Sequence, residues 1–203
     1  GNRRTHEILL AVFREPDMVE PADNGRKFDL QEYYDHPDRY RSILEPRLKP
    51  LTCLLHCSYW DDRYPRILSC ETVARWREQD GTPRLRVVGD VSCDPMGGIE
   101  LNREVTTPRE PCYVYDPVDE TLTPGVVGRA PAILAVDNLP CMLPRSSSQS
   151  FGKVLESFVP VLSRADFNAK TADDAGLPIA MRRAVLVWRG KLEPAYRRLE
   201  DLL

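Results

Sequence analysis

Several features are scarce in this chain of 203 residues. No apolar run approaches the roughly 20 residues that a membrane-spanning helix needs, so no membrane span is expected. The first ten residues, GNRRTHEILL, do not have the layout of a signal peptide. Six cysteines are present but no C-x-x-C pair, which removes the common redox motif. Lysine occurs five times and histidine three times. The net charge is −3, and the arginines are scattered among acids. There is no basic stripe, so nucleic acid is not an expected partner. No internal repeat or low-complexity tract is found.

What remains is the composition of an ordinary globular protein, with 42% apolar and 29% charged residues. The cysteines at 53, 57, 70, 93, 112 and 141 mostly sit in apolar contexts such as TCLLHC and EPCYVYD. They are expected as buried, reduced thiols of a cytoplasmic protein. Cys53, His56 and Cys57 invite a metal reading. On a strand, however, Cys53 and Cys57 share one face and His56 takes the other, so no metal ligand set is assigned.

Hydrophobic patterning predicts strands over 5–13, 50–60, 84–94, 111–116 and 130–138. Helices are predicted over 29–44, divided by Pro37, and over 69–79, stopped by Gly81. A further helix over 146–162 carries Phe151, Val154, Leu155 and Phe158 on one face, with the serine trio 146–148 as its N-cap. A short helix near 178–188 and a C-terminal helix follow, and 117–125 reads as a turn. Strands alternate with helices and most are continuously apolar, which predicts an α/β fold with a parallel sheet covered on both faces.

In such a sheet, ligands bind beyond the carboxyl ends of the strands. Three predicted strands end in polar clusters: LLHCSYWDD, VVGDVSCD and AVDNLP. In the last of these, Pro140 cannot donate to a ladder and ends it. The helix that follows has an N-terminus that favours negative charge. The layout suits a phosphate, a carboxylate or a nicotinamide carboxamide. Each polar pair is equally readable as turn chemistry. The residues by themselves therefore reach an α/β sheet with a ligand crevice.

Two longer motifs go further. GDVSCDPMGGIELNREVTTPREPCYVYDP followed by AVDNLPCMLPRSSSQSFG resembles the lysine–2-oxoglutarate reductase/saccharopine dehydrogenase family, and more distantly alanine dehydrogenase. FDLQEYYDHPDRYRSILEPRLKPLTCLLHCSYWDDRYPRIL is similar to the segment that precedes these motifs in the reductase. The resemblance runs from about Thr5 onward and fits the C-terminal portion of the family. It implies a Rossmann-like parallel sheet within a two-domain alanine dehydrogenase/transhydrogenase-type fold. Residues 1–138 would be the later part of a dinucleotide-binding domain, and 139–203 a helical segment returning to the substrate domain. The implied reaction is reduction of the imine of lysine and 2-oxoglutarate to saccharopine, with NADP or NAD as cofactor.

The resemblance nominates Asp137 and Asp94 as catalytic. It implies cofactor contacts from Cys57 and Ser58, from Val91, Ser92 and Cys93, and from Val136, Asn138 and Leu139. Two parts of the family pattern have no counterpart. No G-x-G-x-x-G occurs, although that turn lets backbone approach a pyrophosphate. The family's N-terminal lysine and histidine have no matching segment. Half a Rossmann sheet has an open edge and an uncovered apolar face. The chain is therefore expected to be either a fragment or one whose missing part is supplied by a partner chain or a homo-oligomer, and the isolated chain is expected to be inactive. The alternatives are a non-catalytic Rossmann remnant used for assembly or regulatory binding, and an alanine dehydrogenase-type reaction on another amino acid.

Overall fold

The computed structural model describes residues 8–23 and 25–202. The chain divides into two compact units, Gly1–Met142 and Leu143–Leu203.

The first unit begins with a short helix α1 (Glu15–Met18), then strand β1 (Val19–Pro21), helix α2 (Leu30–Asp35), strand β2 (Tyr40–Ser42) and helix α3 (Glu45–Leu48). Asp29 caps α2 by accepting from the Glu32 amide at 2.7 Å. Pro37 ends the helical run as expected, but the second piece is a 3-10 turn leading into a strand. The reason is tertiary. β2 pairs antiparallel with β1, and this seats Tyr40 against Val19, Tyr33, Phe28 and Tyr64 in a small aromatic cluster. The strand predicted over 5–13 does not form. Residues 8–14 are irregular and Ile8, Leu9, Leu10 and Val12 are exposed, while 5–7 lie outside the described residues.

The main sheet contains β3 (Cys53–His56), β4 (Val87–Asp90), β5 (Cys112–Asp116), β6 (Thr121–Pro124) and β7 (Ala132–Leu134), in the order β3-β4-β7-β5-β6. β3, β4 and β7 run parallel, and β5 and β6 run antiparallel to their neighbours. The expectation of a wholly parallel sheet is thus corrected to a mixed one. Four residues connect β5 to β6, whereas a parallel crossover needs about a dozen or more. The stretch read as a turn is therefore a hairpin that contains β6.

Register explains the core. Leu54, Val88, Ile133 and Tyr113 are aligned across four strands and all are buried. Each fully enclosed Val, Leu or Ile contributes about 1.5–3 kcal/mol by leaving water. Helix α4 (Cys70–Asp80) adds Val73 and Trp76 to the same cluster. Ser69 caps this helix through the Thr72 amide at 3.1 Å, and Gly81 follows its last residue. The opposite face of the sheet is covered only in part. Ala132 and Val114 are buried there, but Leu55 is 64% exposed, and Cys53 and Val87 are also open to solvent. No strand pairs with the outer edge of β3 among the described residues.

This open face corrects the reading of the cysteines. Cys53, Cys57 and Cys141 are exposed, and Cys70, Cys93 and Cys112 are half-buried. All six are free thiols, and none is enclosed in the core.

The second unit contains α5 (Pro144–Glu156), α6 (Val159–Leu162), α7 (Ile179–Arg183) and the strand pair β8 (Val187–Trp188) and β9 (Lys191–Leu192). The expected serine cap is incorrect. Ser146 lies inside α5, because Pro144 takes the first helical position, where a missing N–H costs nothing. Leu143 is the cap residue and makes no side-chain cap bond. Phe151, Val154 and Leu155 do lie at helical spacing, but that face is exposed. The last segment is a 3-10 helix, Pro194–Leu202.

Candidate functional site

Because β3, β4 and β7 are parallel, the segments that follow His56, Asp90 and Leu134 all leave the same end of the sheet. Every residue nominated by the family motifs lies on one of them. Cys57 and Ser58 follow β3 and are exposed. Val91 to Asp94 follow β4, with Val91 and Asp94 exposed and Ser92 and Cys93 half-buried. After β7, Val136 is enclosed and Asp137 and Asn138 are exposed. Leu139 opens a 3-10 turn, Leu139–Met142.

Cys93 sits among the acids. Burial first, and then the negative charges of Asp90, Asp137 and Asp94, push its thiol above the ordinary range. Asp94 is the next residue in the chain, and Asp137 follows β7, the parallel neighbour of β4. Cys93 also has φ +56°, a left-handed conformation that is unusual for a non-glycine residue. Its Sγ donates to the Asp90 carbonyl at 3.2 Å.

The β4–Ile99 loop is held tightly. The Met96 amide donates to the Asn102 carbonyl at 2.6 Å, and the Gly97 amide to the Asp94 carbonyl at 2.9 Å. Arg66 donates to the Gly97 carbonyl at 2.6 Å and lies 5.2 Å from the Trp60 ring. Glycine at 97 is a steric requirement. A Cβ there would lie 2.7 Å from Asp94 Cβ and 2.9 Å from its carbonyl oxygen.

Beneath the loop is a buried network that sequence reasoning missed. Asp90 is 1% exposed. Its Oδ1 meets His56 Nδ1 at 3.0 Å and accepts from Ser92 Oγ at 2.7 Å. Its Oδ2 accepts from Asn102 Nδ2 at 2.8 Å, and Asn102 Oδ1 accepts from Tyr113 Oη at 3.1 Å. Burial raises the Asp90 pKa, but the hydrogen bonds from His56, Ser92 and Asn102 outweigh it and hold the carboxyl below its ordinary value. An ionised carboxylate only accepts, so Nδ1 of His56 carries the proton. The sequence signal for this network was only partial, two polar residues in the polar clusters that end apolar runs, and the sheet register supplies the rest. His56 and Asp90 are the last residues of strands in parallel register, and alternation puts both on the inner face.

The thiols give a direct check of this geometry. Iodoacetamide labelling of the folded chain, followed by peptide mass mapping, is expected to modify Cys53, Cys57 and Cys141 first. Cys93 is expected to lag by about tenfold or more, because the thiolate is the reacting species. Labelling of Cys93 as fast as Cys57 would contradict the acid-lined placement.

A separate hollow of about 500 Å³ lies in the second unit, lined by Leu162, Phe167, Met181, Trp188 and Arg189 among others. It is mainly apolar and gathers no acids, so it is a poor candidate for the same chemistry.

No family model matches the chain. Individual proteins do. An alpha-aminoadipic semialdehyde synthase of Arabidopsis thaliana is 31% identical over 200 residues, covering 97% of this chain and 18% of that protein. This chain is a homologue of the alpha-aminoadipic semialdehyde synthases. A mitochondrial synthase of Bos taurus is 28% identical over 213 residues, covering 98% of this chain and 22% of that protein. A saccharopine dehydrogenase [NAD(+), L-lysine-forming] of Emericella nidulans is 30% identical over 111 residues, half of this chain and 25% of that protein. The chain thus spans about a fifth of the length of the synthases it matches. No helix among the described residues is long and apolar enough to cross a membrane.

Proposed function

We propose that this chain supplies one wall of a nicotinamide dinucleotide site in an oxidoreductase that forms saccharopine from lysine and 2-oxoglutarate. One observation carries the reading: in a homologue of the synthases, Asp94 and Asp137 follow the carboxyl ends of β4 and β7, two strands that pair side by side in parallel.

The donor set fits one end of the cofactor. Short polar groups at Ser58, Asp137 and Asn138 suit a carboxamide, and the exposed Val91 suits the side of a ring. The chain has no glycine-rich turn for a pyrophosphate, so the phosphates would rest on groups from elsewhere. NADPH, when bound, supplies the hydride. Asp94 and Asp137 add negative charge at the rim of the crevice, and this favours a cationic carbon–nitrogen unit over a neutral one. Asp137, exposed and at the end of β7, is the better placed to hold a proton near that nitrogen. The residues that the family motifs nominate on these three segments include no cation for the two carboxylates of 2-oxoglutarate. The open edge of β3 and the uncovered face at Leu55 are where a further strand and its helix would complete the sheet. The free thiols suit a reducing compartment, here taken as the cytoplasm.

The test is a fusion. The upstream part of the Arabidopsis synthase is joined to this chain in place of its own matching segment. Loss of NADPH absorbance on adding lysine and 2-oxoglutarate is expected with the fusion. Fluorescence titration of the chain alone is expected to show weak NADPH binding or none. A folded fusion without turnover would count against the reading, and micromolar NADPH binding by the chain alone would show that the missing wall is not needed. The second reading, a non-catalytic module, is favoured by the absence of the glycine turn.

A further inference from the structure

Among the described residues two buried side-chain nitrogens lack a hydrogen-bond partner, Arg103 Nε and one nitrogen of His56; of the two residues, His56 is the more deeply enclosed. It is 4% exposed, and one nitrogen is engaged with Asp90. The other, Nε2, is buried without a hydrogen-bond partner. Its ring edge lies against the loop. A Cβ built on Gly98 would be 3.0 Å from His56 Cε1, 3.3 Å from Nε2 and 3.1 Å from Trp60 Cγ. The same imidazole therefore touches the end of β4 through Nδ1 and the far end of the 91–98 loop through its edge. Trp60 shares the contact with Gly98, and its indole donates to the Pro65 carbonyl at 3.2 Å. A buried imidazole nitrogen left unpaired carries a desolvation cost, and hydrophobic packing alone would be served by leucine.

We propose that His56 is a positioning residue for the Asp94–Gly98 loop. Nδ1–H fastens the ring to Asp90, and the fastened ring sets the height at which Gly98, and with it Asp94 and Cys93, cross the strand ends. It acts through Asp90 and the loop and does not touch substrate. Left-handed backbone at Cys93 and Met96 is strain that persists only where the surroundings over-determine it, and the His56–Asp90 bond is part of that constraint. Only the use of the loop depends on the nicotinamide-site reading. Its attachment to His56 does not, and the test reads attachment alone.

Three variants of the full chain separate a hydrogen-bonding role from a filling role. In His56→Asn the amide nitrogen stands where Nδ1 stood and can still donate to Asp90. In His56→Gln it stands nearer to Nε2. In His56→Leu there is no donor. The readout is the rate of Cys93 alkylation by iodoacetamide, with far-ultraviolet circular dichroism to confirm folding. His56→Leu and His56→Gln are expected to label Cys93 at least about tenfold faster than the parent chain, as local opening of the loop becomes easier. His56→Asn is expected to stay within about twofold of it. Labelling of His56→Leu at the parental rate overturns the proposal, as does His56→Asn labelling as fast as His56→Gln. Should His56→Leu not fold, the Asn and Gln pair alone decides, because a filling role gives no reason for the shorter amide to be the slower one.

Discussion

Arg77→Ala is expected to lower the unfolding free energy of the chain by about 3–5 kcal/mol, the usual cost of removing one partner from a buried ion pair. Arg77 is on the inner side of α4 and only 8% exposed. Its guanidinium pairs with the buried Asp116 at the end of β5 and with Asp119 at 2.9 Å in the hairpin turn. This single side chain therefore ties α4 to the antiparallel end of the sheet. Without it, Asp116 keeps the Val118 amide at 3.0 Å but has lost its counter-charge inside the protein. A double change, Arg77→Met with Asp116→Asn, retains an acceptor for Val118 and removes both charges. It is expected to recover most of the loss, since replacing a whole buried pair is often close to neutral. Urea unfolding at neutral pH measures both. A loss below about 1 kcal/mol for Arg77→Ala would place the pair with surface salt bridges and refute its structural role.

The second large effect concerns Asp137. In the fusion enzyme, Asp137→Ala is expected to reduce turnover by about 10²–10⁴-fold, the range for loss of a group that positions or transfers a proton. Stability is expected to change by no more than about 0.5 kcal/mol, because the residue is exposed beyond the end of β7. Steady-state kinetics paired with a melting curve separates the two quantities. Normal kinetics in the variant would remove Asp137 from the site and leave Asp94 as its only nominated acid.

Local signals located many elements correctly. The periodicity over 69–79 found α4 to within a residue at each end, and the apolar run at 111–116 contains β5. The polar ends of three runs correctly marked one end of the parallel strands. Local signals failed where a partner strand decides. Residues 38–44 look helical in isolation, yet Tyr40–Ser42 pairs with β1 because Tyr40 is needed in the aromatic cluster. Residues 8–13 look like a buried strand but make none within this chain. Cys53 in β3 and Cys57 just beyond it look like core residues, yet both are exposed, because among the described residues that face of β3 is uncovered.

The candidate site divides in the same way. The motifs carried the family and pointed to Asp94 and Asp137, and the comparisons support the family. Motif reading did not reach His56, Asp90, Asn102 and Tyr113, which are spread over 58 positions of chain yet share one hydrogen-bonded line. Composition and pattern by themselves determined an α/β chain and its strand ends, and the motif resemblance added the lysine–2-oxoglutarate reductase/saccharopine dehydrogenase family, because these depend on neighbours in sequence. Strand direction, the exposure of β3 and the His56–Asp90 contact were decided only by the tertiary structure. Each depends on which residues from distant segments come to lie side by side, and backbone pairing and burial set that at a range no local pattern encodes.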